Sequence, residues 1–308
     1  IMSDLAKGLF ITIGGVLVLT PDSLLIRLAG TDPWTLIFWR GLLYGGTITI
    51  GYLLLKRGRA LASYLSIGRA GLIASFFFSL NAFTFVLAMD NTSVANVLIL
   101  VATSPLFSGL FGLFFLGEKL RWRTWAAIAV SLCGVAIIAL PNLGEGAIFG
   151  DAMAITTAAS LAAAFTIFRA NSSIDMAPTV SISGFLTAGL ALSVGATPVM
   201  TAQSAPWILM MGCFVLPVAF IAFAVGPRYL PAAQVSLILL LETVLGPVWV
   251  WWALDEGVGP LTLLGGGIIL VALTVDSLFA LRNHRRALKS VARPGGNVIS
   301  SKNNGRKS

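Results

Sequence analysis

Residues Leu113–Trp125 read LFFLGEKLRWRTW, and residues Trp251–Leu263 read WWALDEGVGPLTL. Each stretch leaves an apolar run, passes an acidic position (Glu118; Asp255-Glu256) and enters another apolar run. The first corner carries Lys119, Arg121 and Arg123, whereas the second carries no base. Two similar corners, 138 positions apart, therefore have opposite charge, and the organisation of the whole chain has to account for it.

The chain has 308 residues, 57% hydrophobic and 10% charged, with a mean hydropathy of +0.93. A soluble domain has roughly 45–50% apolar and about 25% charged residues. One water-soluble core cannot hide this much apolar surface, so the composition requires a polytopic membrane protein. The net charge of +8 is then read as bases collected on one side of a bilayer, not as a nucleic-acid footprint. Cys133 and Cys213 both lie in apolar runs and read as packing residues rather than a disulfide or metal site. Lys7 followed by a long apolar run, with no small-residue cleavage site, predicts no cleavable signal.

A helix needs about 20 mainly apolar residues to cross the hydrocarbon, because its backbone groups must bond within the segment. Ten such runs are predicted: 5–28, 33–55, 68–89, 93–116, 123–141, 149–170, 177–199, 205–226, 231–253 and 260–281. Pro105, Pro217 and Pro247 within runs predict bent or broken helices. With the N-terminus in the cytoplasm, the inner segments hold Lys7; Lys56, Arg57, Arg59 and Arg69; Lys119, Arg121 and Arg123; Arg169; Arg228; and the bases from Arg282 to Lys307. The outer turns hold only Arg27, a ratio of 18 to 1 with Arg40 left inside the second run. The positive-inside rule thus selects an even number of spans with both termini cytoplasmic.

The opening contrast follows from this topology. Five spans separate the two corners, and five is odd, so equivalent corners of two five-span halves face opposite sides and acquire opposite charge. A shift of 138 pairs Ala95 with Ala233, Asn96 with Gln234, Val97 with Val235, Leu116 with Leu254, Glu118 with Glu256 and Thr124 with Thr262. The first spans of each half align Gly8 with Gly150 and Arg27 with Arg169. Inverted halves are a transporter device, because two mirrored units give inward-open and outward-open states of similar energy. The expected fold is all-α: ten transmembrane helices in two inverted five-helix repeats, 1–141 and 142–282, with a basic, disordered cytoplasmic tail over 283–308.

SVANVLILVATSP (93–105) leading to FFLGEK, and AAQVSLILLLETVLGPV (232–248) leading to ALDEG, resemble EamA-type members of the drug/metabolite transporter superfamily. The resemblance covers roughly residues 5–282, and Glu118 and Glu256 match its acidic residue at the close of the fourth span of each half. The proline that commonly adjoins the span-9 glutamate is replaced here by Thr243, with Pro247 later in the run. The whole chain is similar to the YddG-type exporters of aromatic and other amino acids. That resemblance implies movement of a small metabolite through a central cavity in a bacterial inner membrane, with no cofactor and no enzymatic step.

Ionisable groups inside hydrocarbon are costly and usually serve a purpose. Asp22, Arg40, Glu242 and Asp276 are the candidates. Asp22 and Arg40 fall about 10 Å below the outer surface on neighbouring helices. They can form an ion pair, or Arg40 can attract a substrate carboxylate. Glu242, near the middle of the ninth run, is a candidate for proton coupling along with Asp22, since a carboxyl out of water favours its protonated form; alternatively it bonds a neighbouring helix. Asn81 either joins helices or faces the cavity. Thr103 and Ser104 align through the repeat with Leu241 and Glu242, close to the midplane where substrates sit, although a hydroxyl can simply bond its own helix. Trp39, Phe78, Phe165 and Phe185 are candidates for an apolar cavity wall or for lipid contact. Trp249, Trp251 and Trp252 suit an interfacial belt. Gly41 with Gly45, and Gly265 to Gly267, are expected to let helices approach closely.

No zinc-protease motif, cysteine ligand set, phosphate loop or dinucleotide fingerprint occurs, and His284, the only histidine, lies in the basic tail. The sequence therefore predicts a monomeric carrier in the lipid bilayer, with a small-molecule substrate and no nucleic-acid partner. Amino acids are the expected solutes, and drugs or other amphiphilic metabolites the alternative. A membrane transferase would need a concentrated catalytic set, and a scaffold would not need mirrored halves.

Overall fold

The computed structural model of the protein describes residues 4–92, 97, 100–139, 148–254 and 260–291, and those residues are helical apart from short connections. The first predicted run is broken into α1 (Asp4–Leu19) and α2 (Asp22–Ala29). The break comes at Thr20-Pro21. The Thr20 amide and hydroxyl still bond back to the Val16 and Leu17 carbonyls, but Pro21 has no N–H with which to continue the ladder. Its ring suits a helix start, and α2 begins at the next residue. The second run is α3 (Pro33–Lys56), a single helix.

A short helix, α4 (Ala60–Ser66), follows a 3-10 turn at Arg57–Arg59 and occupies what hydropathy reads as a connection. Next come α5 (Gly68–Asn91), α6 (Ser104–Leu116), α7 (Trp122–Ala139), α8 (Ile148–Ala170) and α9 (Ala177–Ser193). Pro105 lies in the first turn of α6, where a missing N–H costs nothing. The eighth run comprises α10 (Ala205–Met210), a π-helical turn (Met211–Val215) and α11 (Leu216–Val225). Pro217, just after the wide turn, cannot donate into the preceding helix, which gives the irregularity a local cause. α12 (Ala232–Leu254) is continuous through Pro247, and α13 (Pro260–Val291) extends into the start of the basic tail.

The stretches 4–29, 68–91, 148–170 and 205–228 are long and apolar enough to cross a membrane, and five further helices are apolar but shorter. This is a multi-pass membrane protein. Large side chains such as Phe10, Leu55, Phe114 and Trp252 are exposed on its outside, which water would not tolerate on this scale.

At the first corner, Gly117 takes φ 65° and the Glu118 amide bonds back to the Gly112 carbonyl at 3.0 Å. This left-handed cap ends α6 and releases the chain toward α7. The second corner, with Asp255 and Glu256, lies outside the described residues, as do residues 140–147, which contain the expected boundary between the halves.

The most extensive helix contacts are α5 with α8, α3 with α9 and α7 with α13, followed by α5 with α9, α6 with α8, α1 with α11 and α6 with α12. Small residues permit these crossings. A Cβ on Gly41 would stand 2.6 Å from the Gly184 carbonyl oxygen, and one on Gly45 would stand 2.9 Å from that of Ser181. Gly134 on α7 meets the Gly265 carbonyl at 2.8 Å from the same imagined position. Backbones this close gain dispersion that lipid cannot supply, which is how apolar helices associate where no hydrophobic force separates lipid from protein.

One end of the bundle is fastened by charge. Arg169 Nε donates to Glu118 Oε1 at 2.7 Å, and its Nη1 reaches the Pro227 and Arg228 carbonyls at 3.3 Å each. Arg228 donates to Ile174 O at 2.8 Å and Asp175 Oδ1 at 3.0 Å, while the Tyr52 hydroxyl donates to Asp175 Oδ2 at 2.6 Å. The ends of α3 and α8 and the connections after α6, α8 and α11 are thereby linked.

Candidate functional site

A central cavity lies between the helices. Its charged and polar lining comprises Asp22 from α2, Arg40 and Tyr44 from α3, Asn81 from α5, Thr157 from α8, Thr187 from α9 and Glu242 from α12. Phe78 and Phe85 from α5, and Phe220 and Phe223 from α11, supply the aromatic wall. The cavity is large enough to hold several waters.

The Asp22–Arg40 pair is bidentate. Nη2 donates to Oδ2 at 2.8 Å and Nη1 to Oδ1 at 3.2 Å, and Nη1 also stands 3.1 Å from Met211 Sδ. The two side chains are only 4% and 10% exposed. Parallel donors matched to both carboxylate oxygens are the strong geometry for this pair, and the α1–α2 break is what turns Asp22 toward α3. Glu242 lies within electrostatic reach of both groups, yet accepts no hydrogen bond among the described residues.

The aromatic wall is built edge to face. Phe220 meets Phe78 at 5.0 Å between ring centroids and Tyr44 at 5.2 Å, with interplanar angles of 85° and 86°. The Tyr44 hydroxyl is held 3.3 Å from Ser183 Oγ and 3.5 Å from Thr187 Oγ1. Asn81 lines the cavity and also donates to the Thr157 carbonyl at 3.2 Å, so it joins α5 to α8 from inside.

Of the residues singled out from sequence, Asp22, Arg40, Phe78, Asn81 and Glu242 come together around this space. Phe165 is fully buried behind the wall, packed on Phe223 at 6.1 Å. Ser104 is buried at the start of α6, and the Thr103 hydroxyl bonds the Leu100 carbonyl, its local alternative. Trp39 is half-buried against Phe38 and leaves its buried indole N–H without a partner. Phe185 is 44% exposed on the outside of α9. Phe185→Ala should therefore shift stability by no more than about 0.5 kcal/mol, and thermal unfolding in detergent checks this.

Tyr44, Phe85, Phe220 and Phe223 are not legible as wall residues in the sequence, since an aromatic in a uniformly apolar run gives no sign of which way it faces. Phe220 has one available signal: it lies 142 positions after Phe78, the spacing that aligns Gly8 with Gly150.

No curated protein matches the chain. One solved crystal structure superposes with a TM-score of 0.75 at 17% identity, covering 90% of this chain and 98% of that one. This likeness shows a shared fold. Residues 6–140 match the sequence model of the EamA-like transporter family. The match falls within the first half of the chain, and that half is similar to the EamA-like transporter family.

Proposed function

We propose that the protein is a secondary transporter of ten transmembrane helices in two inverted five-helix halves, exporting apolar and aromatic amino acids by alternating access. The observation that carries this reading is the composition of the cavity wall. Leu19 and Leu161, Phe78 and Phe220, and Asn81 and Phe223 all line it, and each pair is 142 positions apart. Tyr44 with Thr187 and Val101 with Leu239 follow at 143 and 138 positions. A cavity built from corresponding positions of two halves lies on the axis relating them, where a rocking motion opens either end.

Helix packing supports the same reading. Exchanging the halves turns the α5–α8 contact into α11–α1, and leaves α3–α9, α6–α12 and α7–α13 as self-corresponding pairs. Gly8 and Gly150 each admit a close neighbour: a Cβ on Gly8 would meet Tyr229 Cβ at 2.6 Å, and one on Gly150 would meet Asn91 and Thr92 at 2.7 Å. In this reading both termini are cytoplasmic, and the Arg169–Glu118 and Arg228–Asp175 network holds the cytoplasmic end shut. The amino-acid assignment rests on the YddG-type resemblance, and the aromatic wall beside charged groups is consistent with it.

Glu242 and Asp22 are the proton-coupling candidates, and Glu242 is favoured because Arg40 already occupies both oxygens of Asp22. Uptake of radiolabelled tryptophan and phenylalanine into proteoliposomes tests the proposal. Transport should be accelerated by a pH gradient in the wild type, and Glu242→Gln should lose that acceleration. A Glu242→Gln protein that still responds to the gradient would remove the coupling role, and absence of amino-acid flux in the wild type would remove the substrate assignment.

A further inference from the structure

Two carboxyl groups and one guanidinium, those of Asp22, Glu242 and Arg40, line the cavity, and their partners differ. Asp22 and Arg40 satisfy each other through two parallel hydrogen bonds and together carry no net charge. For Arg40 to take a substrate carboxylate instead, Asp22 would have to give up its partner in a place where it is 4% exposed. Stripping one member from a buried pair is among the costliest electrostatic changes a protein can make. Glu242 has no such commitment: its carboxyl group faces the cavity with no hydrogen bond among the described residues, free to give up its proton to the solution and hold a cation. The polar neighbours do not neutralise it, since Asn81 donates to the Thr157 carbonyl and the Tyr44 hydroxyl is shared between Ser183 and Thr187.

We infer that Glu242 is the recognition group of the cavity and binds the protonated amine of the substrate, so that a substrate carboxylate is dispensable. The ligand class is a primary arylalkylamine, with or without a carboxyl group. Its ammonium donates to Glu242 and its ring lies against Phe78, Phe220 and Phe223. The negative faces of such rings also attract a nearby cation. Anionic solutes lacking an amine are rejected, because they bring no ammonium for Glu242 to hold and meet a guanidinium already in use. This inference rests on the proposed transport site and specifies which end of the solute that site reads.

The test uses the full chain in lipid nanodiscs and three probes: tryptophan, tryptamine and N-acetyltryptophan. Calorimetry should show tryptophan and tryptamine binding and N-acetyltryptophan failing to bind. Glu242→Gln should weaken tryptamine by about tenfold or more, the scale of a hydrogen bond to a charged group, and Glu242→Asp should recover part of the loss. Thermal unfolding of each variant separates lost binding from lost fold. Binding of N-acetyltryptophan but not tryptamine, undiminished tryptamine binding by folded Glu242→Gln, or no binding of any probe would overturn the inference. Tryptophan flux in proteoliposomes distinguishes the two levels: flux without amine dependence sinks the inference and leaves the transporter, whereas amine binding without flux does the reverse.

Discussion

Arg40→Gln is expected to lower the unfolding free energy by about 3 kcal/mol or more, because it leaves the Asp22 carboxylate buried and unpaired. The pair has both features that make such a loss large: two parallel hydrogen bonds and side chains 4% and 10% exposed. Cavity water can reach part of the site, which places the figure toward the lower end of the usual range. The double variant Asp22→Asn/Arg40→Gln should regain most of the stability, since two neutral amides can bond across the same gap without a stranded charge. Denaturation in detergent micelles, scored for both variants, measures the difference. Equal losses in the single and double variants would mean that the pair contributes packing rather than charge. Folded Arg40→Gln without transport would show a role in transport beyond holding Asp22.

Gly184→Val is expected to prevent accumulation of folded protein or to cost about 3 kcal/mol or more, the upper range for overpacking a tight contact. A Cβ at Gly184 would fall 2.6 Å from the Gly41 carbonyl oxygen, 2.7 Å from Tyr44 Cε2 and 2.8 Å from Gly45 Cα. Two of these three are backbone atoms and cannot rotate away, so α3 and α9 would have to part. Tyr44 would shift with them, and with it the wall that Tyr44 shares with Phe220. Gly189→Ala is the control on the same helix, where a Cβ meets nothing within 4 Å. It should leave stability unchanged or slightly improved, because alanine is the better helix former. Size-exclusion profiles and melting curves of the two variants compare them directly.

The parts of this molecule that can be read from sequence are those in which polar and apolar demands disagree. Hydropathy locates the apolar runs, and the charges at Lys119, Arg121 and Arg123 against Asp255-Glu256 expose the opposition of the two corners. Asp22, Arg40, Asn81 and Glu242 stand out because such groups are expensive in hydrocarbon, and all four line the cavity. The break at Thr20-Pro21 is not legible, because averaging over a span conceals one proline between apolar turns. The aromatic residues divide unpredictably for a related reason: lipid is as apolar as the helix interior, so period carries little information about facing. Phe165 is fully buried while Phe185 is 44% exposed, and Phe78 is buried two positions after exposed Phe76.

The central claim is that the two halves are inverted with respect to one another. Ser66, in the connection after the second predicted span, and Ala202, in the connection after the seventh, occupy corresponding places in the two halves. In a background with Cys133 and Cys213 replaced by alanine, Ser66→Cys and Ala202→Cys can be probed in intact cells with a membrane-impermeant thiol reagent. The account predicts that Ala202→Cys is labelled from outside and that Ser66→Cys is labelled only after the membrane is opened. Labelling of both positions from the same side would contradict it.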